Sequence, residues 1–169
     1  PLNYKGFPKS VCTSVNHVVC HGIPSERKIL SDGDMVNVDV TVILNGWHGD
    51  SSRMFVAGKT NKKNYEFLKI TYESLLIGIS EAKPGKHIGD IGNKIQKLAE
   101  GKGYSVVRDF CGHGIGKEFH TPPSVLHFGE PCEGPMLSAQ FEHTIGITEE
   151  GNEIFTLSKN NTAFPIKDV

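Results

Sequence analysis

Two aspartates lie inside a segment that otherwise predicts a buried β-hairpin. Residues 37–52 read NVDVTVILNGWHGDSS and contain Asp39 and Asp50 among apolar neighbours. Two carboxylates buried side by side would repel each other, and burial would force one of them to be protonated. A bound divalent cation removes both problems. The alternative is that the hairpin is exposed and both aspartates are solvated, as most aspartates are.

The geometry of the hairpin places the two aspartates on one face. Asn-Gly at positions 45–46 is the strongest short-range signal for a two-residue hairpin turn. If Leu44 faces Trp47, then Asp50 lies opposite Thr41, and Asp39 shares the face of Thr41 because it is two residues away. The aspartates are then diagonal neighbours, about 7–8 Å apart at the backbone.

Two further residues have the same character. His113 lies between glycines in FCGHGIGKEFH, directly after a predicted strand, and an imidazole there is a good metal ligand. Glu142 lies in a predicted strand, AQFEHTIGI, among apolar residues. Each has a simpler interpretation, as a hydrogen-bonded core histidine or an edge glutamate. Three such places in one small chain favour a metal centre.

The elements that must position these residues are strands and two helices. Apolar residues at helical spacing predict helices over 61–82 and 87–103, ended by Lys83-Pro84-Gly85 and by Gly101 and Gly103. Their predicted core faces are Tyr65, Leu68, Tyr72, Leu75, Leu76 and Ile79 in the first helix, and Ile88, Ile91, Ile95 and Leu98 in the second. Two short predicted strands flank a turn at Asn16, and the second of them ends at Gly22. Further strands are predicted at residues 35–44, 47–57, 104–110, 139–147 and 152–157. Residues 121–135 are rich in proline and glycine. This pattern predicts an α+β fold with an antiparallel sheet.

Composition excludes several classes of function. The net charge is −1 and basic residues form no run, so electrostatic binding to nucleic acid is not indicated. No apolar segment is long enough to span a membrane. The four cysteines, Cys12, Cys20, Cys111 and Cys132, contain no C-x-x-C pair and are expected to be free thiols in a reducing cytoplasm.

Four stretches resemble the type I methionine aminopeptidases of the pita-bread fold. They are FPKSVCTSVNHVVCHGIP, GDMVNVDVTVILNGWHGDSSRMFVAG, SVVRDFCGHGIGKEFHTPPSVLHF and SAQFEHTIGIT, and with the helices they cover nearly the whole chain. The resemblance implies one catalytic domain over residues 1–169, with helices on the outer face of a curved antiparallel sheet. It also implies a cytoplasmic monomer that removes the initiator methionine from nascent polypeptides, with the ribosome as a further partner and no nucleic acid or membrane involved.

The resemblance assigns roles residue by residue. Two divalent ions (Co, Mn, Fe or Zn) would hold the attacking hydroxide, bound by Asp39, Asp50, His113 and Glu142. Asp50 and Glu142 would bridge the ions, and Glu142 would also belong to the catalytic set with His21 and His120. The substrate would contact Tyr4, Phe7, Cys12, His21, Phe119 and His120. An apolar and aromatic pocket suits a thioether side chain.

The chain departs from the family pattern in one place. The family carries a further glutamate ligand, in a stretch resembling FTIEP, between the GHGIG segment and the QFEH strand. This chain passes from VLHFGEPCEGPM directly into LSAQFEHT, so several tens of residues are missing near 135–137, besides an N-terminal part. Glu130 and Glu133 are flanked by Gly and Pro and are not expected to replace the lost ligand. We favour a sequence that joins two segments of a longer chain over a true deletion. A catalytically impaired binding protein and a prolidase-like Xaa-Pro peptidase are the alternatives.

Overall fold

The computed structural model describes residues 1–127 and 142–157, so Cys132, Glu130, Glu133, the junction near 135–137 and the start of the QFEH stretch lie outside the described residues. The described part contains strands and two helices, as predicted, after a short 3-10 turn at Tyr4–Gly6. The elements are β1 (Cys12–Val15), β2 (Met35–Leu44), β3 (Trp47–Val56), α1 (Lys62–Glu81), α2 (Ile88–Gly101), β4 (Gly112–Gly114), β5 (Thr121–Val125), β6 (Ile145–Thr148) and β7 (Gly151–Ile154).

The predicted β2–β3 hairpin forms with the predicted register. All three described sheets are antiparallel: β1-β2-β3, β4-β5 and β6-β7. Leu44 faces Trp47 and Thr41 faces Asp50. Positions 45 and 46 both have positive φ, 52° and 81°, as a type I′ turn requires.

Both helices begin and end close to their predicted limits. The Asn61 side chain caps α1 by accepting a hydrogen bond from the Asn64 N–H at 2.8 Å. The α2 helix starts after His87, whose N–H donates to the Asp90 carboxylate at 2.8 Å. Each helix then stops at its Gly- or Pro-containing signal.

The buried faces of the helices differ from the prediction in part. Leu68 of α1 is fully buried and packs against Met35 and Met54, which form the core with it. Leu76 is 43% exposed and Ile88 is 41% exposed, so their assignment to the core was wrong. The buried stripe of α1 continues instead through three other residues: Ile70, Ser74 and Gly78.

Small residues explain where the buried stripe lies. A Cβ placed on Gly78 would lie 2.9 Å from Ile95 Cδ1, so α2 approaches the backbone of α1 closely at this position. The buried stripe of α1 therefore includes the face that packs against α2.

Two predicted strands do not form, and one strand was not predicted. No strand ends at Gly22, because His21 adopts a left-handed φ of 56° that interrupts the extended chain, and one backbone bond from Thr13 N–H to Gly22 O, at 2.8 Å, joins the segment to β1. Residues 104–110 form no strand, since they have no ladder partner in the described chain and the backbone bends at residues 108 and 109. The proline-containing segment Thr121–Val125 instead forms β5, which is hydrogen-bonded only to β4 among the described strands. A strand paired on one side tolerates proline.

Membrane insertion by a helix finds no support in the described chain. None of the helices in residues 1–127 and 142–157 combines the length and the apolar character that crossing a bilayer requires.

Candidate metal centre and substrate pocket

Three carboxylates from three segments converge at one point. Asp39 of β2, Asp50 of β3 and Glu142 each place one oxygen within 4.8 Å of the others. The hairpin register brings the aspartates together, with Asp39 between Cys12 on β1 and Ser52 on β3. Glu142 joins them because its N–H donates to the Ser52 carbonyl at 3.2 Å and so pairs it with β3.

Asp50 is held by hydrogen bonds at its side chain and its backbone. The Thr41 hydroxyl donates to Asp50 Oδ1 at 2.7 Å. The Asp50 N–H lies 3.0 Å from Thr144 Oγ1, and that hydroxyl donates to the Asp50 carbonyl at 2.8 Å. The residue is 8% exposed, so its oxygens keep fixed directions in a nearly dry site.

Burial and mutual repulsion disfavour the ionised form of this carboxylate cluster. Burial, and then the charge of Asp50, raise the pKa of Asp39 from 3.8 to about 6. Burial, followed by Asp50 and Asp39, raises the pKa of Glu142 from 4.5 to about 8. A divalent cation would supply the opposite charge that this cluster needs, and oxygen donors suit such ions. The residues therefore fit a divalent metal.

His113 stands beside the carboxylates with a suitable ring nitrogen. Its Nε2 lies 3.8 Å from Asp50 Oδ2. Its Nδ1 lies 3.0 Å from the Gly114 carbonyl oxygen, which can only accept, so Nδ1 carries the proton and Nε2 keeps its lone pair. Ligating histidines usually donate their second N–H in this way. Gly114 is needed here, because a Cβ at that position would collide with the Pro122 carbonyl.

An aromatic cluster adjoins His113. The rings of His113 and His120 are 4.1 Å apart, and His120 Nδ1 lies 2.9 Å from the Tyr4 hydroxyl. Phe119 packs edge-on against Tyr4 with centroids 4.8 Å apart. Burial, and then the neighbouring His113, lower the pKa of His120 and so favour its neutral ring. These four residues therefore form one wall next to the metal site.

The remaining predicted substrate residues differ in whether their contacts reach the carboxylates. Cys12 is 3% exposed and its thiol hydrogen-bonds Asp39, while burial and then the Asp39 charge raise the Cys12 pKa to about 12. His21 is exposed and packs edge-on against Phe110 at 5.4 Å. Phe7 follows the first turn, and its N–H donates to the Tyr4 carbonyl at 2.9 Å. The described contacts thus bring Cys12 to the carboxylates, whereas those of His21 and Phe7 do not reach them.

Comparison with known proteins identifies the family. The model of metallopeptidase family M24 matches residues 2–151. A methionine aminopeptidase of Rickettsia prowazekii is 48% identical over 201 residues, covering 98% of this chain and 77% of the relative. The chain belongs to the methionine aminopeptidases of family M24. Another such aminopeptidase, from Escherichia coli K12, is 44% identical over 196 residues, covering 95% of this chain and 74% of the relative.

Solved structures of methionine aminopeptidases share the fold. The Rickettsia prowazekii crystal structure superposes with a TM-score of 0.87 at 48% identity, covering 93% of this chain and 77% of that one. The Thermotoga maritima structure has a TM-score of 0.82 at 32% identity, covering 90% and 76%. A prolidase from Pyrococcus furiosus, 24% identical with a TM-score of 0.74 over 89% and 50%, shares the fold alone. The α+β pita-bread fold is confirmed, and the chain is a metal-dependent aminopeptidase.

The alignment lengths bear on the missing segment. The Rickettsia methionine aminopeptidase matches over 201 residues, whereas this chain has 169. The relative therefore carries additional residues inside the matched span.

Residues that support the candidate metal centre and the neighbouring loop of this aminopeptidase were not predicted from the sequence. Thr41 was used only to set the register, although that register already placed its hydroxyl opposite Asp50. Thr144 could have been noticed because it lies two residues from Glu142, on the same face of an extended chain. His48, which contacts Gly116 and Phe119, carried no signal in the sequence beyond its place beside Trp47.

Proposed function

We propose that this aminopeptidase removes the N-terminal methionine from nascent polypeptides at a site of two divalent ions held by Asp39, Asp50, His113 and Glu142. One observation carries the proposal. Three carboxylate oxygens from separate segments lie within 4.8 Å of one another, and an imidazole nitrogen lies 3.8 Å from the central carboxylate. Mn, Fe, Co and Zn all accept this donor set.

When bound, the two ions would supply a water of lowered pKa as the nucleophile and a positive charge for the developing oxyanion. The chain's own residues orient the substrate and handle protons. His120 Nδ1 lies 2.9 Å from the Tyr4 hydroxyl, and with that hydroxyl as the donor the Nε2–H of a neutral His120 would donate to the scissile carbonyl oxygen. Glu142 is the candidate proton acceptor, since its carboxylate stands at the site with Asp39 and Asp50.

The pocket for the methionine side chain is proposed from the aromatic wall. Phe119 and Tyr4 present their rings beside His113 and His120, and the buried Cys12 closes the side nearest Asp39. Phe7 and His21 would complete the pocket and the contact to the scissile peptide when substrate is bound. An apolar and aromatic pocket should disfavour substrates whose first residue is charged.

A catalytically impaired binding protein is the second candidate function. It is favoured by one observation: the Rickettsia relative aligns over 201 residues and so carries residues inside the matched span that this chain of 169 does not have. The family resemblance places the fifth expected ligand in such a stretch.

Turnover of defined peptides tests the proposal. The purified chain is stripped with EDTA, reloaded with Mn²⁺ or Co²⁺, and offered Met-Ala-Ser, Lys-Ala-Ser and Ala-Pro peptides. We expect metal-dependent release of methionine from the first peptide only. Release of alanine from Ala-Pro would show a prolidase-like activity, and binding of Met-Ala-Ser without turnover would support the impaired protein.

The proposed partners need separate measurements. We propose that the enzyme is a monomer and meets its substrates at the ribosome. Sedimentation velocity should give a single species near the chain mass of 18.5 kDa. Co-sedimentation with ribosomes should retain the chain in the pellet, and recovery only in the supernatant would contradict the second part.

A further inference from the structure

The tip of the β2–β3 hairpin holds the loop that carries Phe119 and His120. The His48 N–H donates to the Gly116 carbonyl at 2.8 Å, and His48 Nδ1 lies 3.1 Å from the same oxygen. A carbonyl oxygen only accepts, so Nδ1 of His48 carries its proton and donates. One histidine thus fixes Gly116 through its main chain and its side chain together.

The His48 ring also contacts the aromatic wall directly. It lies almost parallel to the Phe119 ring, with centroids 5.5 Å apart and an interplanar angle of 5°. Phe119 also packs against the rings of Tyr4, His113 and His120, with ring centroids 4.8, 5.9 and 4.0 Å apart. His48 therefore contacts the wall through Phe119, and Phe119 in turn contacts His113 and His120.

Trp47 completes the contact from the preceding position of β3. A Cβ on Gly116 would lie 3.5 Å from Trp47 Cζ3, so the indole covers the loop backbone. The Lys117 ammonium lies 5.6 Å from the centre of the Trp47 ring, within the range of a cation–π contact. Within the loop itself, the Gly116 N–H donates to the Glu118 carbonyl at 3.0 Å. The loop is thus held from outside by two successive hairpin residues.

We propose that His48 is a positioning residue for the aminopeptidase reaction. It fixes residues 115–120 through Gly116 and Phe119, so that Phe119 stays in the methionine pocket and His120 stays beside the scissile carbonyl. The inference rests on the proposed roles of Phe119 and His120, since His48 itself touches no reacting atom. Catalytic groups lose much of their effect when displaced by about 1 Å, so a loop of this kind needs such a support.

Three substitutions separate the two contacts of His48. His48→Phe keeps an aromatic ring against Phe119 and removes the donor to Gly116. His48→Asn keeps an amide donor near the position of Nδ1 and removes the stacked ring. His48→Ala removes both, and His17→Ala is the matched control because His17 is an exposed histidine after β1.

Steady-state kinetics with Met-Ala-Ser give the first readout. We expect His48→Ala to lower kcat/KM by about tenfold, as loss of a supporting contact commonly does. Loss of the stack in His48→Asn should mainly raise KM through Phe119. Loss of the donor in His48→Phe should mainly lower kcat through His120. A residue needed only for folding would reduce the active fraction, with KM unchanged in all three variants. Wild-type KM and kcat in His48→Ala would overturn the proposal.

Ring resonances of the metal-free protein give a second readout that needs no turnover. With Phe and His labelled by ¹³C, His48→Ala should shift the ring protons of Phe119, which lose the ring current of His48, and should also move the His120 signal. His17→Ala should leave both signals in place. Unmoved Phe119 and His120 resonances in His48→Ala would refute the positioning role even if the wild-type chain proved inert. An inert wild type with shifted resonances would refute only the proposed function.

Discussion

Three carboxylates packed against one another determine the acid–base behaviour of the metal-free site. The raised pKa values of Asp39 and Glu142, about 6 and about 8, share one cause, which is burial beside Asp50. Ionising the cluster therefore weakens the folded protein unless a cation neutralises it. Metal binding and folding stability should be linked through these residues.

The metal-stripped protein should lose stability as the pH rises from 7 to 8.5. Glu142 has a pKa of about 8 when folded and 4.5 as its ordinary value, so its stabilising contribution is complete below pH 4.5 and is lost as the pH rises through 8. Asp39 behaves likewise, but its contribution is lost between pH 3.8 and about 6, below this window. The lowered pKa values of His127 and His143 change the stability below pH 6.5, and the raised pKa of the Cys20 thiol changes it above pH 9.0. Glu142 therefore dominates the change in stability between pH 7 and pH 8.5.

Urea unfolding in EDTA measures this dependence. The free energy of unfolding should fall between pH 7 and pH 8.5 in the wild-type chain and stay nearly level in Glu142→Gln. Adding Mn²⁺ at pH 8.5 should restore stability in the wild-type chain only. An equal fall in both proteins would show that Glu142 is not the group responsible.

Asp39→Asn and Asp50→Asn should each abolish metal-dependent hydrolysis. Each change removes an anionic ligand while keeping the shape of the side chain, and we expect activity to fall by about 100-fold or more. Asp32→Asn is the matched control, because Asp32 accepts the Lys59 N–H at 3.2 Å in a turn, which an amide oxygen can also do. Metal content by elemental analysis and methionine release are measured together. Full activity in either ligand variant would overturn the site assignment.

At the residue scale, sequence predicted what local geometry determines. Asp39 and Asp50 could be placed on one face because a two-residue turn sets the register of its hairpin. His113 and Glu142 were noticed for their glycine-rich and apolar surroundings, and their roles were assigned by resemblance to a family. Their approach to Asp50 depends on β4 and on a bridge to Ser52, which no local pattern encodes.

The turn of the β2–β3 hairpin is the element on which the aspartate geometry depends. Gly46 has φ of 81°, and a Cβ at this position would meet no atom within 4 Å, so only its backbone conformation resists substitution. Gly46→Ala should lower the free energy of unfolding by about 1–2 kcal/mol, the cost of a left-handed alanine. It should also weaken metal binding, since the register is loosened.

Gly89→Ala in α2 is the matched control for this turn substitution. Gly89 likewise has open space around it, but it has a helical backbone, so alanine should raise the free energy of unfolding by up to about 1 kcal/mol. Both values come from denaturant titration. Equal effects of the two substitutions would show that the positive φ at position 46 carries no strain.

The helices were predicted more accurately than the strands for a physical reason. Helix limits follow local signals, such as the Asn61 cap and the Lys83-Pro84-Gly85 stop. A strand needs a partner from elsewhere in the chain. Residues 104–110 have suitable composition but no partner in the described chain, whereas Thr121–Val125 has two prolines and is paired with β4.

At the scale of the whole molecule, the question is whether the proposed metal site has all its ligands. It depends on the additional residues that the Rickettsia relative carries. We expect a family-like insert after Pro135, which lies outside the described residues, to strengthen metal binding by well over about tenfold, because even outer contacts of a metal site contribute that much. Metal stoichiometry and methionine release are compared for the 169-residue chain and the chain with the insert. An insert of equal length without the glutamate controls for the added chain. Two bound metals and equal turnover without the insert would contradict this expectation.

The bond between Asp50 and Thr144 joins residues 94 positions apart, and this separation orders events during synthesis. The hairpin with both aspartates leaves the ribosome before Glu142 and can pair early, because the contacts between its two strands are local. Glu142 arrives much later than the hairpin, because it follows Asp50 at a long distance along the chain. Until then a growing molecule presents two facing carboxylates without the third, and its hold on metal is incomplete. The three carboxylates can meet only after residue 142 has left the ribosome, and metal uptake by stalled chains of increasing length would report that moment.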